Sequence, residues 1–151
     1  MTPYEAIITK RDLRMYTAEV IPDDVMGRIL QAGRMAGSAK NFESNRLIVV
    51  TDQAVQDALA EAGDFSSWIG ASAAVIGLAA PEDQLRMFDV GRQAQNMMIA
   101  AHAEGVGDVG RVVHGLVYRQ RPAEQPRRQR LAFDVLHHEI RDAAVPAGVV
   151  G

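Results

Sequence analysis

Apolar residues along the chain switch between helical and extended spacing, and the switches mark the elements. Residues 2–9 read as a short helix ending in the charged run Lys10-Arg11-Asp12-Leu13-Arg14. Pro22 opens a second helix, its fixed φ suiting a first turn, with Asp23 and Asp24 at the positive end of the helix dipole. Val25, Met26, Ile29, Leu30, Gly33 and Met35 recur at helical spacing and form the expected buried stripe, which gives way at Gly37. Leu47-Ile48-Val49-Val50 is apolar and β-branched, the composition of a buried strand. Asp52 is placed to cap the following helix and Gly63 to end it.

Residues 71–80, centred on Ala74-Val75-Ile76-Gly77-Leu78, predict a second interior strand. The longest helix is expected over residues 82–104, closed by Gly105. Its Phe88, Gly91, Ala94, Gln95, Met98, Ile99 and Ala101 are largely small or apolar, which predicts burial on more than one side. Strands interleaved with helices of this length make a mixed, layered α/β arrangement.

Composition narrows the class. With 151 residues, 48% hydrophobic and 23% charged, the chain reads as one globular domain over residues 1–151. Gly, Arg, Asp or Glu interrupts every apolar run before it reaches membrane-spanning length, and Met1-Thr2-Pro3-Tyr4-Glu5 lacks the basic start of a secretory signal. No membrane partner and a cytoplasmic location are therefore expected. Cysteine is absent, which removes disulfides, thiolate catalysis and cysteine-ligated metal. A net charge of −3 gives no reason to expect a nucleic-acid partner. Its distribution is uneven: Arg111, Arg119, Arg121, Arg127, Arg128 and Arg130 crowd the last third, with Glu124 among them. Such a cluster is either a solvated loop or a set of guanidinium forks suited to a phosphorylated ligand.

Four segments together resemble the FMN-dependent nitroreductase-like family. Lys10-Arg11-Asp12-Leu13-Arg14-Met15-Tyr16 is similar to the family's opening basic motif. Gly37-Ser38-Ala39-Lys40-Asn41, shortly before the first strand, is similar to its Pro-Ser-x-x-Asn loop. Residues 88–101, leading to Gly105-Val106-Gly107, look like its long central helix and glycine-rich exit. Arg128-Gln129-Arg130 and the stretch after it resemble its C-terminal basic pair and tail. No one of these is specific; their order and spacing over residues 1–107 are.

The resemblance implies an α+β sandwich, a mixed and mainly antiparallel sheet flanked by helices, in a homodimer with FMN at the subunit interface. Residues 131–151 then form a C-terminal extension, with 131–140 reaching the partner subunit. Lys10, Arg14, Arg128 and Arg130 are expected around the flavin phosphate, and Arg11 at the pyrimidine side of the ring. Asp12 stands where the family has Ser and is expected to hold Arg11 or Arg14 in place. Gly37, Ser38, Ala39 and Asn41 would come from the other subunit to pack along the ring and ribityl chain. The implied activity is ping-pong hydride transfer from NAD(P)H through FMN to small electron-poor acceptors such as nitroaromatics, quinones or flavins. No side chain is an obvious acid or base, so no catalytic residue is named.

Three departures qualify the comparison. A few tens of residues that relatives carry between Gly107 and the basic pair are missing, which removes ring-covering structure. A flavin-binding dimer with little or no turnover is therefore the alternative reading. Glu43, Ser44 and Asn45 also differ from many relatives, a change expected at the substrate rather than at the flavin. Trp68 is read as a packing residue in preference to a stacking platform, and Asp89 as a structural hydrogen-bonding group. His114 with His137-His138-Glu139 is not read as a metal site, because adjacent side chains diverge on either a helix or a strand.

Overall fold

The computed structural model describes residues 1–17, 19–42, 45–62, 66–80 and 84–108. In chain order they form α1 (Pro3–Thr9), α2 (Asp23–Arg34), a short 3-10 turn (Ala39–Asn41), β1 (Arg46–Val50) and α3 (Gln53–Ala62). A second 3-10 turn (Ser67–Ala71), β2 (Val75–Ala79) and α4 (Gln84–Ala103) follow. β1 and β2 pair antiparallel, with Leu47 opposite Leu78 and Val50 opposite Val75. An isolated parallel bridge joins Asp12 to Asp108.

Pleating sorts the strand residues onto two faces, and each face has its own cover. Ile48, Val50 and Val75 pack with Leu59, Ile69 and Trp68 on the α3 side. Leu47, Ile76 and Leu78 pack with Ile29, Met97, Ala101 and Val106 on the side of α2 and α4. Coverage on both faces explains why the strands read as continuous apolar runs instead of alternating ones. The result is the α+β sandwich expected from the sequence.

Local chemistry sets the element ends. Thr2 and Glu5 form a reciprocal capping box, the Thr2 hydroxyl accepting from Glu5 N–H and the Glu5 carboxylate accepting from Thr2 N–H. Asp52 Oδ1 accepts Val55 N–H at 3.1 Å and so caps α3 as expected. α4 ends in a Schellman motif: Val106 N–H donates to Ala101 O at 2.9 Å and Gly105 N–H to His102 O at 3.1 Å, with Gly105 at φ 78°. Gly63 lies outside the described residues.

Some expectations shift. α2 stops at Arg34, so Met35 leaves the buried stripe and is 71% exposed. Residues 67–71 turn as a 3-10 helix, and the second strand begins only at Val75. β2 is half-buried throughout and β1 runs from exposed Arg46 and Val49 to buried Val50, so neither is the interior strand expected. Phe88 is 66% exposed because α4 turns Asp89, Met97 and Ala101 inward instead. No helix among the described residues is long and apolar enough to cross a membrane.

Candidate functional site

The basic segment leaves α1 at Lys10 and passes beside the exit of α4. Lys10 is not free: its ammonium pairs with Asp12 and with Asp108, the latter at 2.9 Å, and its side chain is only 10% exposed. Burial works to push this ammonium down, and the hydrogen bonds it donates to the two carboxylates outweigh it, leaving the group above its ordinary pKa. Burial pushes the Asp108 carboxyl up, with Lys10 opposing. Leu13 N–H donates to Asp108 O at 2.9 Å, so the whole segment is laced to the residues after α4. Asp12 thus holds Lys10, where the sequence reading had it holding Arg11 or Arg14.

Arg11 donates from Nη1 to Ile8 O and Lys10 O, at 3.0 and 2.8 Å. Arg14 is exposed and makes no ion pair among the described residues. Tyr16 donates its hydroxyl to Leu13 O at 3.0 Å, and its ring lies 6.3 Å from that of Trp68. Trp68 packs against the core cluster on the α3 side, in keeping with the packing role read from the sequence.

The loop Gly37-Ser38-Ala39-Lys40-Asn41 belongs to the other end of α4. Lys40 and Asn41 both adopt left-handed backbone, at φ 56° and 54°. Asn tolerates that region; for Lys it costs about 1 kcal/mol or more and persists only where neighbours enforce it. The neighbours come from α4. Ala39 N–H donates to the buried Asp89 Oδ2 at 2.9 Å, and Arg86 donates to Ala39 O at 3.4 Å. The Arg86 guanidinium sits 4.6 Å over the Phe42 ring. A Cβ built on Gly37 would lie 2.8 Å from the Arg92 guanidinium. Met35, Gly37, Phe88, Gly91, Arg92 and Gln95 contribute to an open groove of about 510 Å³ beside this loop.

Both sequence-predicted segments therefore attach to α4, but at different places. The loop is held at residues 86–92, and the basic segment at Met98 (Lys10 Nζ to Sδ, 3.6 Å), His102 (Nε2 to Thr9 Oγ1, 2.9 Å) and Asp108. Asp89 and Met98 are roughly 14 Å apart along the helix axis at the standard rise per residue. Arg128 and Arg130 lie outside the described residues, as do Glu43, Ser44, His114, His137, His138 and Glu139. Sequence reasoning missed Asp108, Arg86 and Arg92. The Arg86-x-x-Asp89 spacing was the available signal, since residues three apart share a helix face.

Residues 7–75 match the sequence profile of the Nitroreductase family. Over 109 residues the chain is 32% identical to an Archaeoglobus fulgidus protein provisionally named NADH dehydrogenase/NAD(P)H nitroreductase, covering 68% of this chain and 63% of that one. The chain thus spans a little under two thirds of that relative's length. A crystal structure of a similarly named protein from Parabacteroides distasonis superposes with a TM-score of 0.74 at 20% identity, covering 96% of this chain and 79% of the other. A provisionally named nitroreductase from Desulfovibrio desulfuricans, solved in complex with FMN, is 28% identical with a TM-score of 0.65, over 70% of this chain and 64% of its own.

Proposed function

This chain belongs to the nitroreductase family, and from that premise we propose that it is an FMN-dependent NAD(P)H oxidoreductase acting on small electron-poor acceptors as a homodimer. One observation carries the reading: the matched stretch, residues 7–75, holds both the basic segment and the small-residue loop. The donor chemistry fits a flavin mononucleotide in part. Arg14 is exposed and makes no ion pair among the described residues, and its guanidinium is suited to a dianionic phosphate. Arg11 is exposed, with its Nη1 held by Ile8 O and Lys10 O, and on this reading it faces the pyrimidine edge. The loop presents Gly37, Ser38 and Ala39 with no bulky side chain, on a backbone fixed by α4.

When bound, FMN supplies the hydride-accepting ring; the protein supplies orientation and electrostatics. Arg14, with Arg128 and Arg130, would bind the phosphate. Gly37, Ser38, Ala39 and Asn41 would line a partner subunit's flavin. The loop and the basic segment are held at places roughly 14 Å apart along α4, and on this reading they belong to the two halves of a site shared between two chains.

Lys10 favours a second reading. Held by two carboxylates, it leaves the phosphate patch with one cation fewer than the sequence suggested. That weakens FMN capture, and with the ring-covering residues missing after Gly107 the second reading is a flavin-binding dimer with little or no turnover. Purified protein discriminates: a yellow protein bleached by anaerobic NAD(P)H supports the oxidoreductase, and a yellow one that resists bleaching supports the second reading. A colourless protein that takes up no added FMN defeats both. Arg14→Ala or Arg130→Ala should raise the FMN Kd at least about tenfold, against little change for Arg119→Ala. Equal affinities across the three would mean the phosphate site lies elsewhere.

A further inference from the structure

Asp89 is 2% exposed, and a buried carboxylate is costly unless something specific compensates it. Packing alone would be served better by an apolar residue of similar size. What Asp89 contacts is a main-chain group: its Oδ2 accepts Ala39 N–H at 2.9 Å. One helical turn earlier, Arg86 donates to Ala39 O at 3.4 Å, and its Nη1 lies 3.9 Å from Asp89 Oδ2. Two residues three apart on α4 therefore hold both polar groups of a single backbone residue.

The position of that residue matters. Ala39 immediately precedes the left-handed pair Lys40 and Asn41, and Phe42, under the Arg86 guanidinium, immediately follows it. Within the loop itself the turn is closed by Asn41 N–H to Ser38 O at 3.1 Å and Phe42 N–H to Ala39 O at 3.4 Å. Two consecutive left-handed residues, one of them Lys, are unfavourable without external support. The support comes from α4 on both sides of the turn.

We infer that Arg86 and Asp89 are positioning residues: they grip Ala39 by its N–H and C=O, impose the left-handed turn at 40–41, and so set how the loop presents itself to a flavin ring. The last clause rests on the proposed function; the first two do not. The consequence is specific. Loss of the grip should misorient the ring while leaving phosphate capture at Arg14 intact.

The test has two arms, both on the full-length chain. In the first, amide hydrogen exchange over residues 38–42 is measured without flavin in the wild type, Asp89→Ala, Asp89→Asn and Arg86→Gln. Asp89→Ala should speed Ala39 exchange at least about tenfold, because its protecting acceptor is gone. Asp89→Asn, which keeps an acceptor oxygen, should recover most of the protection. Unchanged exchange in folded Asp89→Ala overturns the grip. If that variant does not fold, Arg86→Gln decides: wild-type protection across 38–42 overturns the grip, and faster exchange confined to 38–42 supports it. In the second arm, visible circular dichroism of bound FMN is compared across the folded variants. Asp89→Ala, or Arg86→Gln if it alone is folded, should alter the flavin bands, with less than about a threefold change in FMN Kd. Altered exchange with unaltered flavin bands overturns the positioning role. A wild type that binds no FMN defeats the proposed function and the positioning role with it, while the exchange arm still decides the grip.

Discussion

Gly27 and Gly33 lie in the same helix, yet a methyl group added at each meets different surroundings. At Gly27 nothing lies within 4 Å, so Gly27→Ala should stabilise by up to about 1 kcal/mol through helix propensity alone. At Gly33 the new Cβ would sit 2.7 Å from Met97 Cγ, in a core where Met97 is itself buried. Overpacking should outweigh the propensity gain, and Gly33→Ala should destabilise by about 1–2 kcal/mol. Urea denaturation of the two variants checks both signs. A stabilised Gly33→Ala would mean that Met97 repacks freely. Gly33 was legible in the sequence as part of a buried stripe, but its reason was not. The reason is a methionine on α4, distant in sequence and close in space. Lys10 shows the same limit. Its charge was visible, whereas Asp108, which holds it, comes from beyond the far end of α4.

Elements were legible where a local rule suffices. Asp52 caps α3 and Gly105 closes α4, because a cap depends on its own few residues. Asp52→Ala should therefore cost about 1 kcal/mol, read as a lower urea midpoint with unchanged slope. Where tertiary contacts decide, the sequence pattern fell short: the small and apolar residues along α4 gave no sign that Phe88 faces outward while Asp89 faces in. Arg28 joins two elements, meeting Asp24 in its own helix at 3.0 Å and Glu104 after α4 at 2.7 and 2.9 Å. Hydrogen bonds from Arg28 hold the Glu104 carboxyl below its ordinary value, and likewise Asp24. Such groups stabilise the fold above the usual carboxylate range, and that contribution is lost as pH falls through their folded values. Arg28→Ala should thus lower the urea midpoint at neutral pH, with the difference vanishing near pH about 2. A difference that persists undiminished in acid would assign Arg28 a packing role through its alkyl chain.

At the scale of the whole molecule, α4 is the element that both the loop and the basic segment are built on among the described residues. It anchors the loop near its start and the basic segment near its exit, and its middle covers one face of the sheet. The sequence showed both segments and their order, but not that one helix separates them, because spacing along a chain carries no distance in space. The central proposal is a flavin site completed only by a second copy, each copy giving one of the two segments. Complementation tests it most directly. On the proposed function, Arg14→Ala would remove the phosphate half of the site and Ala39→Glu would block the loop half, so each variant alone should bind little FMN. Co-expressed, they should regain FMN at about a quarter of all sites, since random pairing makes half the dimers mixed and each mixed dimer holds one intact site. A co-expressed mixture that binds no more FMN than the two variants do separately would contradict the account.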